Sequence, residues 1–234
     1  MGSIFKFKQF EVNQSGCAMK INTDGVLLGA IVQKNDTKQI LDIGTGTGVI
    51  ALMLAQRFPE ALVDAVEIDE SAALAASANF NNSNFSARVK AHHCAIASYN
   101  TDVKYDLIVS NPPYFVNDLK NPEQRKGIAR HADQDFFELL LMKTSELLTD
   151  DGCIWLILPV KQAEFVVAGA AAFNLALGER INVCSDESKP VFRHIICLQR
   201  KVVAPKISNF FIYESEKIYT EAYKRLLKDF LLAF

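Results

Sequence analysis

From residue 39 to residue 110, short β-branched runs alternate with longer segments of helical pattern. The runs at 39–43, 62–68, 88–93 and 105–110 predict buried strands, and 49–58 and the alanine-rich 70–80 predict helices. Strand and helix alternation of this kind implies a parallel sheet covered on both faces. The expected fold class is α/β: a Rossmann-like, doubly wound, mostly parallel sheet.

Beyond residue 110 the pattern continues with a helix over 133–148, a strand at 153–158 and a helix over 161–173. Strand-like runs at 177–184 and 194–201 follow with no long helix between them, so they predict an antiparallel pairing that gives the sheet an antiparallel edge strand. A last amphipathic stretch covers 219–232. No repeat or linker divides the chain. The expectation is one catalytic domain over 39–234, with residues 1–38 as an extension packed on it.

Composition narrows the function classes. With 234 residues, 50% hydrophobic and 22% charged, the chain is long enough for a large core without metal or disulfide support. No apolar run reaches the roughly 18 residues of a membrane span, and the first residues lack a signal-peptide core, so a cytoplasmic protein with no membrane association is expected, with a monomer favoured. The five cysteines are scattered without a CxxC pair and read as buried small side chains. The run His92-His93-Cys94 predicts no metal site, because side chains of consecutive strand residues point to opposite faces. The net charge of −2 leaves nucleic-acid binding to local patches.

Two motifs carry chemistry. The first, Leu41-Asp42-Ile43-Gly44-Thr45-Gly46-Thr47-Gly48, follows the first strand of the alternating region and opens its first helix. Glycines there let a ligand lie against backbone at the carboxyl end of parallel strands. The spacing is GxGxG rather than the dinucleotide GxGxxG, and Asp42 stands just ahead of it. A carboxylate there repels a pyrophosphate and attracts a ligand carrying ammonium and sulfonium groups, as S-adenosylmethionine does. Glu67, ending the next strand, is placed to accept hydrogen bonds from ribose hydroxyls. The cofactor-binding candidates are therefore Asp42, Gly44, Gly46, Gly48 and Glu67. The segment resembles class I methyltransferases, which often hold the cofactor's adenine with an Asp after the third strand; here His92-His93-Cys94-Ala95 stands instead.

The second motif, Asn111-Pro112-Pro113-Tyr114, directly follows an apolar strand. Consecutive prolines end the strand and stiffen the turn, fixing an amide and an aromatic ring beside the sheet's carboxyl edge. An amine conjugated to a ring is a poor nucleophile. Two oxygen acceptors, the Asn111 side chain and the Pro112 carbonyl, would hold its hydrogens, turn its lone pair outward and stabilise charge developing on nitrogen. Tyr114 offers a face for a planar substrate. Asn111, Pro112 and Tyr114 are the catalytic candidates, for adenine N6, guanine N2 or the glutamine side-chain amide.

The blocks Phe5 to Val12 and Cys17 to Ala30, the Asn111 to Tyr114 motif, Arg125-Lys126-Gly127-Ile128-Ala129-Arg130-His131 and Leu226 to Phe230 together resemble the bacterial tRNA1(Val) (adenine(37)-N6)-methyltransferase family, nearly end to end. That resemblance implies a tRNA substrate, methylation of N6 of adenosine 37 and S-adenosylmethionine as donor. Lys120, Arg125, Lys126 and Arg130, in what reads as a basic loop after Tyr114, are the candidates for phosphates flanking a flipped adenosine. Release-factor glutamine methyltransferases share the Asn-Pro-Pro-Tyr motif but carry a helical domain ahead of the glycine loop. A non-catalytic RNA-binding module is the third reading, and intact Asp42, Glu67 and Asn111 speak against it.

Overall fold

The alternation of apolar runs and helical periods folds as the pattern requires. The structure, a computed structural model, describes residues 4–17, 20–113 and 122–234, with side chains in the last segment from residue 134. In chain order its elements are β1 (Ile4–Lys6), β2 (Glu11–Asn13), α1 (Thr23–Ile31), β3 (Gln39–Ile43), α2 (Val49–Arg57), β4 (Leu62–Glu67), α3 (Glu70–Asn81), β5 (Val89–His93) and β6 (Tyr105–Ser110). There follow α4 (Pro122–Leu147), β7 (Leu148–Pro159), α5 (Val160–Gly169), β8 (Ala176–Cys184), β9 (Val191–Gln199), β10 (Lys206–Phe211), β11 (Tyr213–Ser215), β12 (Ile218–Tyr219) and α6 (Glu221–Leu227).

The central sheet has eight strands in the order β10-β8-β9-β7-β6-β3-β4-β5. Strands β5, β4, β3, β6 and β7 are mutually parallel, and β9 runs antiparallel to both β7 and β8. The expected antiparallel pairing of the last two predicted strands is therefore present, and β10 extends that end of the sheet by pairing parallel to β8. Strand order reverses around β3, which has β4 on one side and β6 on the other. Such a switch point leaves a crevice at the strands' carboxyl ends, because the flanking connections depart to opposite faces.

Alternate strand residues feed two cores. Ile40, Leu107 and Val109 pack with Ile50, Leu54 and Phe80 under α1, α2 and α3, and Leu41, Ile43 and Ile108 pack with Phe137, Leu140 and Val166 under α4 and α5. Each such buried aliphatic side chain contributes about 1.5–3 kcal/mol of transfer free energy. Residues 4–17 and 20–38 share the first core: Phe7, Phe10 and Val12 are buried in it with Val26, Leu27 and Leu28. Phe7 forms a bridge with Leu231, and the Lys8 amide donates to the Phe230 carbonyl at 2.8 Å, so the two ends of the chain meet.

Three differences from the sequence pattern have local causes. The stretch after Tyr114 read as a basic loop is helical from Pro122, where proline suits a first helical position and good helix formers follow. The amphipathic stretch at 219–232 shortens to α6, capped by the Thr220 hydroxyl, with Tyr219 drawn into β12. Strand β10, Lys-Ile-Ser-Asn-Phe-Phe, has a half-exposed edge position and no clean alternation, so its pattern is weak.

Candidate active site

The glycine loop takes its shape from backbone that only glycine adopts cheaply. Gly44, Gly46 and Gly48 have φ of 72°, 57° and 86°. The Gly44 and Thr45 amides donate to the Val66 carbonyl at 2.8 and 3.1 Å, bending the chain off β3 across the end of β4. A Cβ on Gly44 or Gly46 would meet nothing within 4 Å, whereas one on Gly48 would lie 2.3 Å from Phe80 Cε1. The first two glycines therefore leave an open surface, and the third allows helix α2 to pack against α3.

Two carboxylates hold this loop from below and from the side. Asp42 is fully buried; its Oδ2 accepts the Thr45 hydroxyl at 2.6 Å, its Oδ1 makes no hydrogen bond of good geometry, and the Ala51 backbone also favours the charged form of the carboxyl. Burial above all, with the nearby Glu67 charge, outweighs these contacts and pushes the Asp42 carboxyl up to about 7. Glu67 accepts the Gly46 amide on Oε2 at 2.8 Å and the Asp69 amide on Oε1 at 2.9 Å, so it clamps the loop to the start of α3. Asn79 of α3 adds a second clamp, donating to the Thr47 carbonyl at 2.9 Å and to the Asn13 carbonyl at 3.1 Å.

Register brings the second motif to the first. Ile43 pairs with Ser110 across β3 and β6, and the Ser110 hydroxyl donates to the Ile43 carbonyl at 2.7 Å. The next residue on each strand is Gly44 and Asn111, so the two motifs leave the sheet side by side on adjacent parallel strands. Pro112 is buried, Pro113 is exposed and Asn111 is half-buried. A groove lined by Lys20, Ile21, Asn22, Gly25, Gly44–Thr47, Val49, Ile50 and Asn111 joins them.

Of the predicted residues, Gly44, Gly46 and Asn111 line this groove; Asp42 and Glu67 hold the glycine loop through Thr45 and the Gly46 amide, Gly48 ends the loop, and Pro112 follows Asn111. Tyr114 and Lys120 lie outside the described residues, as do the side chains of Arg125, Lys126 and Arg130 within α4. The His-His-Cys run is occupied locally: His92 Nε2 contacts Asp64 Oδ1 at 2.6 Å, and His93 Nε2 contacts the Ile68 carbonyl at 3.2 Å. Among the described residues no cluster of three or more His, Cys, Asp or Glu side chains is arranged for a metal ion.

Sequence reasoning missed the wall contributed by residues 20–25. Asn22 caps α1, its Oδ1 accepting the Gly25 amide at 2.9 Å, and a Cβ on Gly25 would lie 3.6 Å from Asn111 Nδ2. The signal was present as an Asn cap directly before the apolar run of α1.

The matched family and relatives agree with this geometry. Residues 17–166 match the methyltransferase small domain family. A tRNA1(Val) (adenine(37)-N6)-methyltransferase of Pedobacter heparinus is 58% identical over all of both chains, and one of Parabacteroides distasonis is 41% identical over 97% of each. The chain belongs to the tRNA1(Val) (adenine(37)-N6)-methyltransferase family. It is an enzyme of the methyltransferase class, and solved methyltransferases share its fold. A predicted O-methyltransferase of Agrobacterium tumefaciens superposes with a TM-score of 0.69 at 17% identity, over 88% of this chain and 96% of the other. The ribosomal protein L11 methylase of Lactobacillus delbrueckii gives 0.58 at 16% identity, over 80% and 83%.

The crevice fits the donor this family's fold implies. S-adenosylmethionine carries positive charge on sulfur and on its amine, and the buried Asp42 oxygen without a good hydrogen bond is the acid such charge stabilises. The bare faces of Gly44 and Gly46 give the room. Among the described residues no helix is long and apolar enough to cross a membrane.

Proposed function

We propose that the protein methylates N6 of adenosine 37 in tRNA1(Val), with S-adenosylmethionine as donor, in the cytoplasm. The observation that carries this reading is the Ile43–Ser110 register, which sets Asn111 beside the glycine loop in one groove. When bound, the cofactor supplies a methyl group activated on a sulfonium. Gly44–Gly48, Asp42 and Glu67 would hold it: the glycines would give it room, Asp42 would balance its charge and Glu67, at the end of β4, would accept hydrogen bonds from its ribose hydroxyls.

The Asn111 side-chain oxygen and the Pro112 carbonyl accept the two hydrogens of the adenine amine. This draws the lone pair out of conjugation with the ring and stabilises the positive charge growing on nitrogen. The proton leaves after attack, so no general base is needed beforehand. Tyr114 is assigned the stacking face for the flipped base, and Lys120, Arg125, Lys126 and Arg130 the neighbouring phosphates. Residues 4–17 and 20–38 act as part of the catalytic domain, since they share its core and supply one wall of the groove.

Incubation with labelled donor and unmodified total tRNA, followed by nucleoside mapping, tests the reading. Label in N6-methyladenosine at position 37 is the expected result. Label in guanosine or in protein, or none, overturns it.

A further inference from the structure

Asn79 joins three segments that are far apart in the chain. It belongs to α3 and is buried, with 4% of the residue exposed. Its Oδ1 accepts the Asn13 amide at 2.9 Å, and its Nδ2 donates to the Asn13 carbonyl at 3.1 Å and to the Thr47 carbonyl at 2.9 Å. The oxygen and both N–H groups of the side-chain amide are therefore in use. Asn13 ends β2, whose Val12 is buried in the first core with Phe10, Phe80 and Phe85. Phe10 meets Phe85 edge-on, with ring centroids 6.1 Å apart.

Thr47 lines the groove, and Asn79 holds its carbonyl from α3 without lining the groove itself. The loop from Gly44 to Gly48 has three glycines in left-handed backbone, and glycine has the most conformational freedom to lose on ordering. Its shape depends on the groups that hold it. Glu67 fixes the Gly46 amide from the end of β4. Asn79 fixes the Thr47 carbonyl, but its other two hydrogen bonds go to Asn13. A displacement of β2 is thus a displacement of the group that holds Thr47. Leaving any of these buried groups without its partner costs free energy, so hairpin, helix and loop keep one arrangement.

We infer that Asn79 is a positioning residue for donor binding, through which the docking of β2 sets the shape of the glycine loop. This role rests on the methyl-donor reading above and deepens it, giving the N-terminal hairpin a part in donor affinity that is separate from methyl transfer at Asn111. The position demands an amide. Aspartate keeps the size and can still accept the Asn13 amide, but it sets a carboxylate against the Asn13 and Thr47 carbonyls.

Calorimetric titration with S-adenosylhomocysteine, beside single-turnover rates on tRNA at saturating donor, tests this in Asn79→Ala, Asn79→Asp, Val12→Ala and the Val12→Ala/Asn79→Ala double variant. All are compared at a temperature where thermal unfolding shows each of them folded. Loss of the hydrogen bond to Thr47 is expected to weaken S-adenosylhomocysteine binding roughly tenfold in Asn79→Ala, with the rate at saturating donor near that of wild type. Asn79→Asp should lose at least as much. Val12→Ala, which loosens β2 without touching the loop, should weaken binding when Asn79 is present and add nothing to Asn79→Ala. Unchanged affinity in Asn79→Ala overturns the inference, as does a fall in the saturated rate that matches the fall in affinity. Wild-type affinity in Asn79→Asp reduces the residue to packing, and additive losses in the double variant remove the link to β2; either result overturns it too. Wild type that binds no S-adenosylhomocysteine overturns the donor reading and this inference with it.

Discussion

Arg193 on β9 donates from Nε to Asp24 Oδ2 at 2.7 Å, tying the antiparallel strand to the first turn of α1. Arg193 pairs with Pro159 at the carboxyl end of β7, so the contact lies on the same edge of the sheet as the groove. The helix it fixes carries Asn22 and Gly25, the wall facing Asn111. Both side chains are largely buried, with 24% and 11% exposure, so solvent screens the pair only weakly. Asp24→Ala or Arg193→Met is expected to lower stability by about 2 kcal/mol, the scale of a hydrogen bond between charged groups. Urea unfolding of the single and double variants checks this: a double-mutant cycle should return a coupling of about 1 kcal/mol or more, and purely additive losses contradict it.

The glycine loop separates stability from binding. In Gly48→Ala the new methyl meets Phe80 at 2.3 Å and the backbone stays at φ 86°, so the loss is expected to exceed about 2 kcal/mol. In Gly46→Ala nothing lies within 4 Å, and the left-handed backbone alone costs about 1 kcal/mol. That methyl narrows the space for the donor instead. Thermal unfolding and S-adenosylhomocysteine titration together should show Gly48→Ala the less stable and Gly46→Ala the poorer binder relative to its stability.

Burial pushes the Asp42 carboxyl up to about 7 from 3.8. The folded state thus holds this proton more tightly than the unfolded chain. The stability it contributes is complete below about pH 4 and is lost as pH rises through 7, amounting to a few kcal/mol on the order of the shift. Asp42→Asn removes that dependence. Unfolding measured from pH 5 to pH 8 without ligand should show the variant gaining on wild type as pH rises; a constant difference across the range would place the carboxyl near its ordinary value.

Asn111 and Glu67 are expected to fail in different ways. Asn111→Ala removes an acceptor for charge that develops only during transfer, so turnover should fall on the order of a hundredfold or more with donor affinity unchanged. Glu67→Ala leaves the Gly46 and Asp69 amides without their acceptor and removes the acceptor proposed for the donor's ribose, so donor affinity should fall first. Single-turnover rates at saturating donor, beside calorimetric dissociation constants, distinguish the two. Near-normal turnover in Asn111→Ala removes it from the reaction centre.

What the sequence alone determined is what depends on neighbours along the chain. Apolar runs such as Leu107 to Val109 specify buried parallel strands because both their faces must be covered, and glycines after a strand specify a turn at its carboxyl end. The chemistry of Asn111-Pro112 is likewise local, since the prolines fix it. The tertiary structure decided what depends on residues far apart: the pairing of Ile43 with Ser110, which sets the two motifs side by side, and the docking of Lys20 to Gly25 against the glycine loop, which gives the groove a further wall. Strand register and loop docking follow from the packing of faces built by distant segments. The hydrophobic pattern of each segment specifies a face to be buried, and only the assembled core specifies against which other face it comes to rest.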